Sequence, residues 1–210
     1  MRQHFVIGID LDNTLACYDE LFHRAACEAG LIEPSLAKSK AAVRDAIRLL
    51  PEGEAKWTSL QALVYGTRMN EAVMFAGADV FLEHCAGRCV EVRIVSHKSP
   101  CAVLEGKKLD LRLPAMQWLE AKGFFSRFGL SGGHVFFEPT RAEKIERIRA
   151  LGCTDFIDDL PEVFAESQFP SEVRKWLFAP GSEGDLAPER QPAFMNWLEI
   201  DRMFFNDLRP

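Results

Sequence analysis

The stretch Phe5-Val6-Ile7-Gly8-Ile9-Asp10-Leu11-Asp12-Asn13-Thr14 decides the fold. Its first half is a short apolar run, β-branched at the centre, and reads as a buried parallel strand. Its second half sets two carboxylates two positions apart just past the strand. In open α/β sheets, ligands bind at the carboxyl ends of the strands. If the chain turns there, Asp10 and Asp12 can face one metal and one substrate. The blander alternative is that Asp12 and Thr14 merely cap a helix.

Working downstream, Tyr18–Gly30 reads as a helix ending at a glycine, and Ser35–Leu50 as a second that stops before Pro51. Glu54–Tyr65 and Asn70–Ala86 are two more. The period then changes. Val90–Val95 alternates and predicts a strand ending at Ser96. A helix over Ala115–Lys122 follows, then a strand over Val135–Phe137, a charged amphipathic helix over Thr140–Leu151 and a strand over Asp155–Ile157 that ends in Asp158-Asp159. Lys175–Phe178 is a last strand, Pro180–Pro192 a surface loop and Phe194–Phe205 a terminal helix. Strands alternating with helices predict an α/β fold built on a doubly wound parallel sheet. Residues 18–68 carry helices and no strand, so they read as a small helical insert in a core made of 1–17 and 69–210.

The 210 residues fit one large domain or a core with a small insert. With 48% hydrophobic and 27% charged residues, the composition is that of a soluble globular protein. The net charge of −6 and the lack of any Lys/Arg-rich run argue against general nucleic-acid binding. No stretch reaches the ~18 apolar residues of a membrane span. The apolar run at the N-terminus is too short for a signal peptide, so no membrane association and a cytoplasmic location are expected. The six cysteines form no CxxC pair and read as free, mostly buried thiols.

Four polar signals fall at strand ends: Asp10 with Asp12, then Ser96, then Lys144 on the helix after a strand, then Asp158-Asp159. Phosphoryl transfer needs such parts. A carboxylate attacks phosphorus, and a second carboxylate moves the proton. A hydroxyl and an ammonium hold the remaining oxygens, and a hard cation on oxygen ligands offsets the like charges. Alone, each signal has an ordinary explanation: Ser96 a turn residue, Lys144 part of a solvated face, Asp158-Asp159 a helix start.

Taken in order, these four motifs resemble those of the haloacid dehalogenase (HAD) superfamily, over roughly residues 5–165. The resemblance implies a Mg²⁺-dependent phosphohydrolase of the phosphatase type, with a Rossmann-like core. Asp10 would be the nucleophile and a metal ligand. Asp12 would be the general acid/base and would bind Mg²⁺ through its main-chain carbonyl. Ser96 and Lys144 would hold the phosphoryl group, and Asp158, Asp159 or both would complete the metal site. The acid at Asp12 argues for phosphate rather than carbon–halogen chemistry. Asn13 stands where many members have glycine. The insert over 18–68 would be a cap, which favours a small phosphorylated metabolite as substrate. Tyr18, His23, Lys56, Trp57 and Arg68 are its candidate substrate contacts.

Two other functions use similar parts. A receiver-like signalling domain also phosphorylates an aspartate beside a Ser/Thr and a Lys, but normally carries its acidic pair on the first strand. A phosphomutase of the same superfamily shares the whole site. His97 and Lys98 follow Ser96 directly and are open to either a substrate or a loop role. The aromatic group Trp118, Phe124, Phe125 and Phe128 reads as core.

Overall fold

The computed structural model describes residues 5–104, 106–181 and 193–207. In chain order the elements are β1 (Val6–Ile9), β2 (Ala16–Cys17), α1 (Asp19–Glu28), α2 (Lys40–Arg48), α3 (Gly53–Gly66), β3 (Val73–Met74), α4 (Ala78–Gly87), β4 (Glu91–His97), β5 (Cys101–Leu104), β6 (Lys107–Asp110), α5 (Arg112–Ala121), β7 (Val135–Glu138), α6 (Arg141–Ala150), β8 (Asp155–Asp158), α7 (Pro161–Ala165), β9 (Arg174–Phe178), β10 (Ala193–Phe194) and α8 (Trp197–Asp207). They group into two compact units. The first takes 1–15, 74–98 and 123–210, the second 16–73 and 99–122.

The first unit is built on a six-stranded sheet in the order β10-β9-β8-β1-β4-β7. All of its pairings are parallel, as in Ile7 opposite Val92 on one side and Asp155 on the other. This is the mixed α/β, Rossmann-like architecture expected from the alternating pattern. From β1 the chain runs outward through β4 to β7, then returns to the other side of β1 for β8. The order therefore reverses beside β1, where such sheets bind ligands. Every residue of β1 and β8 is buried, which requires cover on both faces and explains why neither strand alternates.

One core group joins Val6, Val95 and Phe156 to Ile145 and Ile148 of α6 and to Val163 and Phe164 of α7. A second, aromatic group gathers around α4, α8 and β9, with Phe81 against Trp197, Phe204 and Phe205, and Trp176 stacked on Phe194. Gly8 is a close fit within β1. A Cβ there would lie 2.4 Å from the ring of Phe156, which is fully buried. Gly8→Ala is therefore expected to destabilise the protein by about 1–3 kcal/mol through overpacking. Urea unfolding would register this as a lower midpoint at unchanged slope.

In the second unit, α1, α2 and α3 pack together, with Phe22 stacked on Trp57 at 5.0 Å. Helix α5 and an antiparallel β5–β6 hairpin complete it. Trp118 donates its indole N–H to the Ala72 carbonyl at 2.9 Å, and Gly66 of α3 lies against Leu109 and Leu111. Residues 99–122, placed in the core by the sequence pattern, thus cluster with the helices of the insert. The hairpin is short and its turn signal is a lone Gly106, with φ +76°, too little to be seen in a pattern scan.

The helix expected over Asn70–Ala86 begins only at Ala78. Ahead of it come a 3₁₀ turn over Met69–Glu71 and β3, because Gly77 sits at φ +86° and breaks helical continuity. The loop expected over Pro180–Pro192 falls almost wholly outside the described residues. All six cysteines are free. Among the described residues, no helix is long and apolar enough to cross a membrane.

Candidate active site

Strand β1 delivers Asp10 at its carboxyl end, where the backbone N–H of Asp10 donates to the Ile157 carbonyl at 2.9 Å. That bond ties the ends of β1 and β8 together and sets Asp10 beside Asp158. Asn13 adopts φ +62°, a left-handed conformation that asparagine enters more readily than most side chains. The turn it makes brings Thr14 inward. Thr14 is fully buried. Its hydroxyl donates to Asp159 at 3.4 Å, and its carbonyl accepts from the Trp197 indole at 3.0 Å. The helix-cap reading of Thr14 gives way to a bracing one.

Lys144 reaches the same point from α6. Thr140 caps this helix by accepting from the Glu143 N–H at 3.2 Å, which starts the helix one turn before Lys144. The Lys144 side chain is 1% exposed. Its ammonium donates to Asp10 Oδ1 at 2.6 Å and to Asp158 Oδ2 at 2.7 Å. Asp158 Oδ1 accepts from the Leu160 N–H at 2.9 Å. Lys144 is thus no part of a solvated face. Ser96, on β4, is buried, and its hydroxyl has no hydrogen-bond partner. A buried hydroxyl without a partner costs free energy, so this one is available to a ligand.

The electrostatics follow from burial. Removal from water pushes the Asp10 carboxyl up to about 6; the Lys144 ammonium opposes this, and the charges of Asp158 and Asp12 add to it. Burial works against the charge on Lys144, but Asp10 and Asp158 outweigh it and hold its pKa above the usual value. Asp12 stands slightly apart, with its Oδ2 accepting from the ammonium of Lys98 at 2.6 Å.

Oxygens of Asp10, Asp158 and Asp159 lie within 4.8 Å of one another. The donor set is all carboxylate oxygen, which suits a hard divalent cation. Among the described residues this is the one cluster of three or more acidic, His or Cys side chains placed to hold a metal. The structure therefore brings Asp10, Lys144, Asp158 and Asp159 together, with Asp12 and Ser96 on the adjoining loop and strand. Asp155, at the opposite end of β8, is a structural acid instead, held by Thr154, Arg174 and Trp176.

No family model and no curated protein matches the sequence. The solved structures do. A HAD-superfamily hydrolase from Ehrlichia chaffeensis aligns over 100% of both chains at 15% identity, with a TM-score of 0.58. A haloacid dehalogenase-like hydrolase from Streptococcus pneumoniae aligns over 97% of this chain and all of its own at 16% identity and a TM-score of 0.61. The chain has the fold of the HAD-superfamily hydrolases. A third such protein, a HAD family hydrolase from Deinococcus radiodurans with bound phosphate and sodium, is similar over 99% of this chain and 97% of its own at 13% identity and a TM-score of 0.57. At these identities the likeness is one of fold.

Within this HAD fold, three of the insert residues singled out from the sequence, Tyr18, Trp57 and Arg68, have side-chain partners. Tyr18, His23 and Trp57 are buried in the second unit, and Arg68 is ion-paired with Glu28 and Glu71. Lys56 is half-buried. His97 donates through Nε2 to the Pro139 carbonyl at 3.1 Å, a loop role. Lys98 was left open by the sequence and turns out to be a member of the cluster, 3% exposed. The available signal was its place two residues beyond Ser96, since residues two apart on an extended segment share a side.

Proposed function

We propose that this protein is a phosphohydrolase acting on a small phosphorylated metabolite through an aspartyl phosphate on Asp10. The observation that carries the proposal is the buried Lys144 ammonium between Asp10 and Asp158, at the point where the strand order reverses. A fixed cation and an unpaired hydroxyl, Ser96 Oγ, are the two donors that the equatorial oxygens of a transferring phosphoryl group require. The phosphate bound by the Deinococcus radiodurans relative fits this chemistry.

Asp10 attacks phosphorus while Asp12 gives a proton to the leaving oxygen. Asp12 then takes a proton from the water that cleaves the aspartyl phosphate. The bond from phosphorus to the ester oxygen breaks as the bond to Asp10 forms, and water later reverses the second change. Among these residues, four carboxylates (Asp10, Asp12, Asp158, Asp159) against two ammonium groups (Lys98, Lys144) leave a formal charge of −2. A Mg²⁺ ion would be held by the carboxylates of Asp10, Asp158 and Asp159; it would balance that charge and offset the repulsion between nucleophile and phosphate. Residues 16–73 and 99–122 are assigned the role of the cap that selects the leaving group. Neither a nucleic acid nor a membrane is a proposed partner, and the cytoplasm is the proposed location.

The test has two readouts. The purified protein should hydrolyse an aryl phosphate with Mg²⁺ and stop in EDTA. Mg²⁺ at 100 times its Kd should also stabilise the fold by about 2.7 kcal/mol, a rise in Tm of roughly 5–10 °C for a chain of this size. Asp159→Asn should lose most of that rise. Turnover that persists in EDTA would overturn the metal assignment.

A further inference from the structure

The mechanism above assigns no task to Lys98, yet its position is expensive. Its backbone N–H donates to the Glu138 carbonyl at 2.9 Å, so β7 holds it in place just past the end of β4. The side chain then runs inward and is 3% exposed, against 19% for Asp12, its ion-pair partner. Burying an ammonium costs several kcal/mol unless close partners repay it, and ordering a long lysine side chain costs rotamer entropy as well. A lysine that merely coated the surface would leave its charge in water. The ammonium of Lys98 instead crosses 86 residues of sequence to meet Asp12 Oδ2 at 2.6 Å.

We propose that Lys98 is a positioning residue for proton transfer, acting through Asp12; this rests on the phosphohydrolase assignment. With Oδ2 accepting from the ammonium, the plane of the Asp12 carboxylate is fixed and its proton is exchanged at Oδ1. The proton moves from Asp12 Oδ1 to that oxygen as the phosphorus–oxygen bond breaks and the bond from Asp10 to phosphorus forms. Lys144 cannot replace Lys98, because both of its short contacts go to Asp10 and Asp158.

The discriminating measurement is leaving-group dependence. Phenyl phosphate releases a phenol of pKa about 10, which needs a proton as it departs. The 2,4-dinitrophenyl ester departs as a stable anion and needs little help. The kcat/KM value covers only the steps through release of the first product, so the ratio of the two kcat/KM values reads the acid alone. That ratio does not depend on the fraction of protein that is folded.

In Lys98→Met, kcat/KM for phenyl phosphate is expected to fall at least about tenfold more than for the dinitrophenyl ester, part of the 10²–10⁴-fold that general acid–base catalysis typically supplies. Lys98→Arg, which keeps a cation, should move the ratio back toward wild type. In an Asp12→Asn background, Lys98→Met should add nothing to the ratio, because the two residues act as one unit. An equal fall on both esters would overturn the proposal in favour of phosphate binding or simple packing, while leaving the phosphohydrolase assignment intact. A wild type inactive on both esters with Mg²⁺ would overturn both.

Discussion

Asp10→Asn is expected to abolish phosphate release, by a factor on the order of 10⁴ or more, because an amide is not a competent nucleophile toward phosphorus. Acid-quenched wild-type protein incubated with labelled substrate should carry phosphate, and the variant should carry none. The structural setting makes this test clean. Asparagine has the shape of aspartate and keeps an oxygen that can accept from Lys144, so the contact now made at 2.6 Å is weakened rather than left empty. Asp158 stays on the other side of the ammonium at 2.7 Å, so Lys144 remains paired. Full activity in Asp10→Asn would show that another residue attacks phosphorus.

Most of this site was legible in the sequence because parallel sheets concentrate chemistry at strand ends. The run Val6–Ile9 stops at Asp10, the alternation of Val90–Val95 stops at Ser96, and the strand Asp155–Ile157 leads into Asp158-Asp159. Each end is a change of hydrophobic pattern at a polar residue, and a local scan detects such changes. Asn13 was legible for a different reason, since few other side chains take φ +62° without strain.

What stayed hidden depends on contacts between distant residues. The pairing of Lys98 with Asp12 spans 86 positions; the two-residue spacing from Ser96 gives the side Lys98 takes but not its partner. Placing residues 99–122 with the helical insert depends on β6 and Leu111 lying against Gly66. It also depends on a hairpin whose strands Cys101–Leu104 and Lys107–Asp110 carry no apolar/polar alternation. Tyr18 and Trp57, named for their chemistry, pack against Phe22 inside the second unit.

Asp12→Asn separates a phosphatase from a phospho-accepting signalling domain. Both form an aspartyl phosphate, so labelling alone cannot distinguish them. A hydrolase must also discard the phosphoryl group, and Asp12 is the acid proposed to do so. It lies two residues past Asp10, and the left-handed turn at Asn13 directs the chain just after it. Its carboxylate pairs with the Lys98 ammonium at 2.6 Å. In the proposed mechanism Asp12 gives a proton to the ester oxygen and then takes one from water. Replacing it with an amide removes both halves of that cycle, so steady-state phosphate release is expected to fall by about 10²–10⁴-fold. Wild type should release many equivalents of phosphate per protein from a small ester, whereas a receiver-like domain would stop at one. If wild type stops at one equivalent, or if Asp12→Asn is as fast as wild type, the hydrolase assignment fails and the signalling one takes its place. A phosphomutase is separated in the same assay: it would return the phosphoryl group to a second hydroxyl of a sugar phosphate and release little of it to water.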